Sequence, residues 1–85
     1  MKKFPNLSKE QVVVVIADGA TGIVLNINLG VHRNDSNDEI YYIFNNIDLA
    51  KEFIKNQAIS NDTLEFLIYD KSQCILEHIE ATHWK

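Results

Sequence analysis

One cysteine, one proline, one arginine and three glycines are all that this chain of 85 residues holds of those types, and each scarcity excludes something. With Cys74 alone, no disulfide can form within the chain, so the fold must stand on its core and needs no oxidising compartment. With so little proline and glycine, the chain shows no low-complexity tract and no linker long enough to divide domains. Lysine and arginine number 8 against 12 aspartates and glutamates, a net charge of −4, and no basic cluster occurs beyond Lys2-Lys3. Nucleic-acid binding depends on neutralising phosphates with cations, so no nucleic-acid partner is expected and a basic partner suits the charge better. No run approaches the roughly 18 apolar residues that a spanning helix needs, so no membrane is expected either. Lys2 and Lys3 lead into Pro5, Asn6, Ser8, Lys9 and Glu10 instead of the apolar segment of a signal peptide. The expected location is cytoplasmic.

What is present suits one small globular domain: 46% hydrophobic and 24% charged residues. A chain of this length buries only about 60–65% of its unfolded surface, and its stability falls at roughly 4–13 kcal/mol. Val12 to Ala17 is apolar on both alternating faces, the pattern of a central strand covered on both sides. Before it, KFPNLSKEQ is polar and turn-like. Ser8 and Gln11 have capping-box spacing, but the β-branched residues that follow make a poor helix start, so residues 1–11 read as a frayed lead-in.

The stretch ADGATG, Ala17 to Gly22, raises the choice between a phosphate cradle and a chain reversal. A cradle places a helix N-terminus directly after the glycines, where orphan amides meet the anion. Here another strand follows, in which Ile23, Leu25, Ile27 and Leu29 alternate with Val24, Asn26 and Asn28, ending near Gly30 to His32. The reading is a hairpin, with Asp18-Gly19 and Gly22 supplying positive φ.

HRNDSNDE, His32 to Glu39, reads as a solvated acidic loop. Asp35, Asn37 and Glu39 begin a calcium-loop spacing, but Ile40 stands where the sharp turn needs glycine and Asn46 where a bidentate glutamate belongs. Ile40 to Phe44 is a third strand. Ile47, Ala50, Phe53, Ile54 and Ala58 then fall at helical spacing, predicting a helix over about 47–57 with Asn46 as N-cap, Asp48 in the first turn and Lys55 near the end. Leu64, Phe66 and Ile68 alternate with Glu65, Leu67 and Tyr69 as a fourth strand. A tight turn over Asp70 to Gln73 leads to a fifth strand over Cys74 to Glu80, antiparallel to the fourth.

The predicted fold class is α+β: a two-layer, mostly antiparallel sheet of about five strands, in the order β-β-β-α-β-β, with one helix packed on one face. A helix of eleven residues is about 16 Å long and cannot cover both faces. If it lies on Ile23, Leu25, Ile27, Leu29, Tyr42, Phe44, Phe66 and Ile68, the opposite face shows Asn26, Asn28, Tyr41, Ile43, Leu67 and Tyr69. Tyrosine combines large contact area with a polar tip, as at interfaces, so this open face is the expected docking surface.

Catalytic and metal patterns are thin. Cys74, His78 and His83 give C-x3-H-x4-H, but ligands along one extended segment rarely converge, and the third has the opposite parity. Cys74 has no evident activating charge, and pairs such as Asp35 with Asp38 or Glu77 with Glu80 look exposed. No enzyme activity, metal or cofactor is expected.

YYIFNNIDLAKEFIKNQ followed by LEFLIYDKSQCILEHI, within Tyr41 to Ile79, resembles the pattern of small bacterial immunity proteins of polymorphic or contact-dependent toxin systems. The resemblance implies a small, acidic, cytoplasmic, non-enzymatic protein that neutralises a cognate toxin by binding it. The surface expected for such a partner combines Asp35, Asp38 and Glu39 with Asn26, Asn28, Tyr41 and Tyr69. A homodimer formed sheet to sheet, with any small ligand at the seam, is the alternative.

Overall fold

Six consecutive buried residues, Val12 to Ala17, make one strand the axis of the structure. The computed structural model describes residues 4–19, 21–27, 30 and 39–80. In chain order it contains β1 (Val12–Asp18), β2 (Val24–Leu25), β3 (Tyr42–Phe44), α1 (Ile47–Ser60), β4 (Leu64–Tyr69) and β5 (Ile75–Ile79). This is the expected α+β order, one helix against a five-stranded sheet in which every pairing is antiparallel.

β4 pairs with β1 from Val13 to Asp18, which fills one side of the central strand. β3 pairs with Val12 to Val14 and β2 with Ile16 and Ala17, so both must lie on the other side, end to end. The sheet is therefore four lanes wide: a composite edge of β2 and β3, then β1, β4 and β5. β3 and β4 both oppose β1 and so run in the same direction, joined by α1 across a single intervening strand.

One face of the sheet packs on the helix. Val12, Val14, Ile16, Leu25, Leu64, Phe66 and Ile68 form the core with Ala50 and Ile54 of α1, and Ile47, Phe53, Tyr42, Phe44 and Ile79 pack around it. The Phe53 ring lies 4.8 Å from Tyr42 and 5.0 Å from Phe44, centroid to centroid. The expected apolar stripe of the helix is thus the side that meets the sheet. Asn46 caps it as expected, its Oδ1 accepting from the Leu49 amide at 2.9 Å. The helix runs one turn beyond the expected Gln57, because the Asn61 amide donates to the Gln57 carbonyl and carries the hydrogen-bond pattern to Ser60. That extension removes Lys55 from the last turn, which has no basic residue.

Three local expectations are corrected. The hairpin forms, with the Gly22 amide donating to the Asp18 carbonyl at 2.6 Å, but only Gly22 among the described glycines has positive φ, at 75°. Gly19 instead donates to the Thr63 carbonyl at 2.8 Å, continuing the β1–β4 ladder. The second strand stops after Leu25, because Asn26 closes a turn: its amide donates to the Gly30 carbonyl and its Oδ1 accepts from the Gly30 amide. Ile23, just before β2, and Ile27, past its end, were expected under the helix but are each 43% exposed. Leu29 and the ATHWK tail, 81–85, lie outside the described residues.

The capping-box pair is used without a helix. Ser8 donates its amide to Gln11 Oε1 at 2.9 Å, and the Gln11 amide donates to the Ser8 carbonyl at 3.1 Å. The spacing thus makes a turn, and the β-branched run after it enters the sheet.

Candidate functional site

Val13, Val15 and Ala17 alternate with the helix-facing residues of β1 and point to the outer face, yet all three are buried. The outer face is therefore not the open one expected from helix length alone. Tyr69 stands opposite Val13, Leu67 opposite Val15 and Val24 opposite Ala17, while Ile40, itself buried, enters just before β3. Phe4 supplies part of the cover from the segment read as a frayed lead-in. Its ring meets Tyr41 edge-on at 5.4 Å and 69°, and Tyr69 at 6.0 Å and 78°. Edge-to-face pairs at such separations add roughly 0.5–1.5 kcal/mol beyond their buried area.

The three rings, with Val15, Val24, Ile40 and Gln73, line a depression of about 250 Å³. Tyr41 and Tyr69 remain half-buried, so the tyrosines are neither sealed inside nor fully displayed. Glu39 stands beside them, its Oε1 accepting from the Tyr41 amide at 3.1 Å while its carbonyl accepts from Ile27 at 2.8 Å. Burial raises the Tyr41 hydroxyl above its ordinary pKa, and the charges of Tyr69 and Glu39 push it the same way. The hydroxyl is therefore a neutral donor across the physiological range.

Gln73 reaches this site from the β4–β5 turn. Asp70 Oδ1 accepts from the amides of Ser72 and Cys74, and the Gln73 amide donates to the Asp70 carbonyl. The tight reversal sets Gln73 at φ 64°, a conformation that favours glycine.

Of the residues chosen from sequence, the structure brings Glu39, Tyr41 and Tyr69 together. Asn26 is taken up by its own turn, and Asn28, Asp35 and Asp38 lie outside the described residues. Sequence reasoning missed Phe4 and Gln73. Phe4 did carry a signal, as the aromatic residue of an otherwise polar lead-in beside Pro5; nothing in the sequence pointed to Gln73.

The patterns weighed for catalysis do not converge. β5 carries a register shift: Ile68 pairs with Glu77 but Tyr69 with Ile75, which leaves Leu76 as an extra residue. The shift breaks the alternation that would align Cys74 with His78. His78 Nε2 lies 3.4 Å from Glu65 Oε2, whereas the exposed Cys74 thiol lies 3.9 Å from the Ser72 carbonyl. His83 is outside the described residues. Among the described residues, no group of three or more His, Cys, Asp or Glu side chains could hold a metal ion, and no helix is long and apolar enough to cross a membrane. A second depression, of about 370 Å³, lies between Ser8–Gln11 and Asn45, crossed by a 3.3 Å hydrogen bond from Gln11 to Asn45. No aromatic side chain lines it.

No family model matches the chain, and neither a curated protein nor a solved structure matches it.

Proposed function

We propose that this chain is a non-enzymatic protein-binding module, an immunity or inhibitor protein that neutralises a cognate bacterial toxin by direct contact in the cytoplasm. One observation carries the reading: Phe4, Tyr41 and Tyr69 form a half-buried aromatic cluster beside Glu39, on the sheet face away from the helix. Aromatic residues that keep part of their surface exposed while held rigidly by neighbours are the usual anchors of protein interfaces. The net charge of −4 favours rapid encounter with a basic partner.

Capture tests it. The tagged chain should retain a larger protein from its source cells, one that is toxic when expressed alone and harmless when co-expressed with this chain. A Tyr41→Ala/Tyr69→Ala variant that remains folded should lose both capture and protection. Equal protection by that variant, or capture of nothing, overturns the reading.

A second reading, a homodimer formed sheet to sheet, draws on Ile43. It pairs opposite Val13 on the outer face and is 49% exposed. An apolar side chain in that position is one that a second copy could cover.

A further inference from the structure

We infer that Phe4 is a displaceable plug: in the free chain its ring takes the seat between Tyr41 and Tyr69, which an aromatic side chain of the protein partner takes in the complex once residues 4–7 swing off the sheet. The inference rests on the protein-binding reading above and names the anchor that the partner must bring. Three observations support it.

The first is the occupant. The Phe4 ring meets Tyr41 at 5.4 Å and 69°, and Tyr69 at 6.0 Å and 78°. Both are edge-on arrangements that aromatic pairs favour, so the seat selects a ring over apolar volume alone. Val15, Val24, Ile40 and Gln73 complete the lining, which holds no charged side chain, so a neutral ring suits it. The second is how Phe4 is held. Among the described residues, none of 4–7 makes a hydrogen bond; the first bonds are those of the Ser8–Gln11 turn, which Gln11 ties to Asn45 at 3.3 Å. Phe53 is a contrast, because its ring lies 4.8 Å from Tyr42 and 5.0 Å from Phe44 but is carried by α1 with its hydrogen-bonded backbone. Lifting Phe4 therefore breaks apolar contacts and no hydrogen bond, and a segment so held opens far below the cost of global unfolding, with the turn as its hinge. The third is that the seat outlasts the plug. Tyr69 is fixed by the β1–β4 ladder opposite Val13, and the Tyr41 amide donates to Glu39 Oε1 at 3.1 Å, neither through residues 4–7.

A plug lowers a partner's apparent affinity by the fraction of time that the seat is open, on the order of 1–10% for a minor state. The test supplies the plug from outside. The ¹⁵N-labelled chain carrying Phe4→Ala is titrated with the capped peptide KKFPNLS, which spans residues 2–8, and separately with the same peptide carrying Phe4→Leu. Saturable shifts are expected at the amides of Val15, Ile40, Tyr41 and Tyr69, with binding at least about fivefold weaker for the leucine peptide. The unaltered chain, whose own Phe4 competes, should bind the phenylalanine peptide at least about tenfold more weakly than the variant does. Unchanged amide positions elsewhere verify that the variant is folded. A second measurement needs no variant. On heating short of the global transition, the Phe4 ring signals of the unaltered chain should broaden or move toward their positions in the free peptide, while those of Phe53 stay.

No saturable shift in Phe4→Ala, shifts that map to another surface, equal binding of the two peptides, or equal binding by the variant and the unaltered chain overturns the inference. Phe4 and Phe53 signals that hold together up to the global transition overturn it as well. So does a Phe4→Ala chain that fails to fold, because a plug must be able to leave. None of these outcomes touches the capture test: a chain that captures its partner with Phe4 still seated would keep the protein-binding reading and lose this one.

Discussion

Gln73 holds the left-handed conformation that the Asp70 turn demands, at φ 64°, where a β-carbon is crowded and glycine is not. Gln73→Gly should therefore stabilise the fold by roughly 0.5–1 kcal/mol, read as a higher denaturant midpoint at unchanged slope. A decrease would mean that the Gln73 side chain contributes more to the outer face than its backbone costs. Tyr41 and Tyr42 make a second prediction. Burial raises both hydroxyls above their ordinary value, with Tyr69 and Glu39 adding to the effect at Tyr41. A group that holds its proton more tightly in the fold contributes stability in full below its unfolded pKa, near 10, and that contribution is lost as pH rises through the folded value. Stability measured by urea titration should accordingly decline above about pH 10, and Tyr41→Phe/Tyr42→Phe should flatten that decline. The same double variant should cost about 1 kcal/mol at neutral pH, because Tyr42 donates to the Ile27 carbonyl at 3.0 Å.

At the scale of the elements, the central strand dominates. Ile16 is fully buried in the core, opposite Phe66 on one side and Leu25 on the other. Ile16→Ala should cost roughly 2–5 kcal/mol, a large part of what a domain of this size holds, and should lower the thermal midpoint by at least about 8 °C. The ion pair between helix and edge strand is a contrast: Lys51 and Glu77 meet at 3.1 Å but are half-exposed, and Lys51→Ala should change stability by no more than about 0.5 kcal/mol. These elements were legible in the sequence because their signals are local. The β-branched run of β1, the helical stripe of α1 and the cap at Asn46 each depend on a few adjacent residues. What could not be read was pairing across the chain. Alternation over Ile23 to Leu29 looks like a long strand, but Asn26 and Gly30 close a turn after Leu25, and β3 then takes the place beside β1 that a longer β2 would have filled. Likewise, the extra residue at Leu76 shifts which β5 side chains share a face, and no composition rule marks it. At the candidate site, Tyr41 and Tyr69 were legible because parity places them together. Phe4 was not, because its position depends on a coil segment crossing the sheet.

The whole molecule is a slab of 34 × 31 × 19 Å, a thickness that suits one sheet and one helix layer. A standard protein interface takes about 800 Å² from each partner, which a face 34 × 31 Å across is broad enough to supply. The chain's own cover lies over part of that face, with Phe4 and Ile40 over the middle of the sheet and Ile43 left half-exposed near the β3 edge. An exposed pair, Ile75 at 57% and Leu76 at 46%, lies on β5, the opposite edge of the sheet. The register shift there disrupts a regular ladder, which is how native edge strands resist pairing with copies of themselves. Net charge of −4 adds mutual repulsion between copies. These features predict a monomer of 9.8 kDa by light scattering at micromolar concentration in low salt, with Ile43→Lys leaving both mass and stability unchanged. A stable mass near twice that value, returned to the monomer by Ile43→Lys, would instead establish the outer face as a self-interface. The aromatic depression would then lie at a seam between two copies.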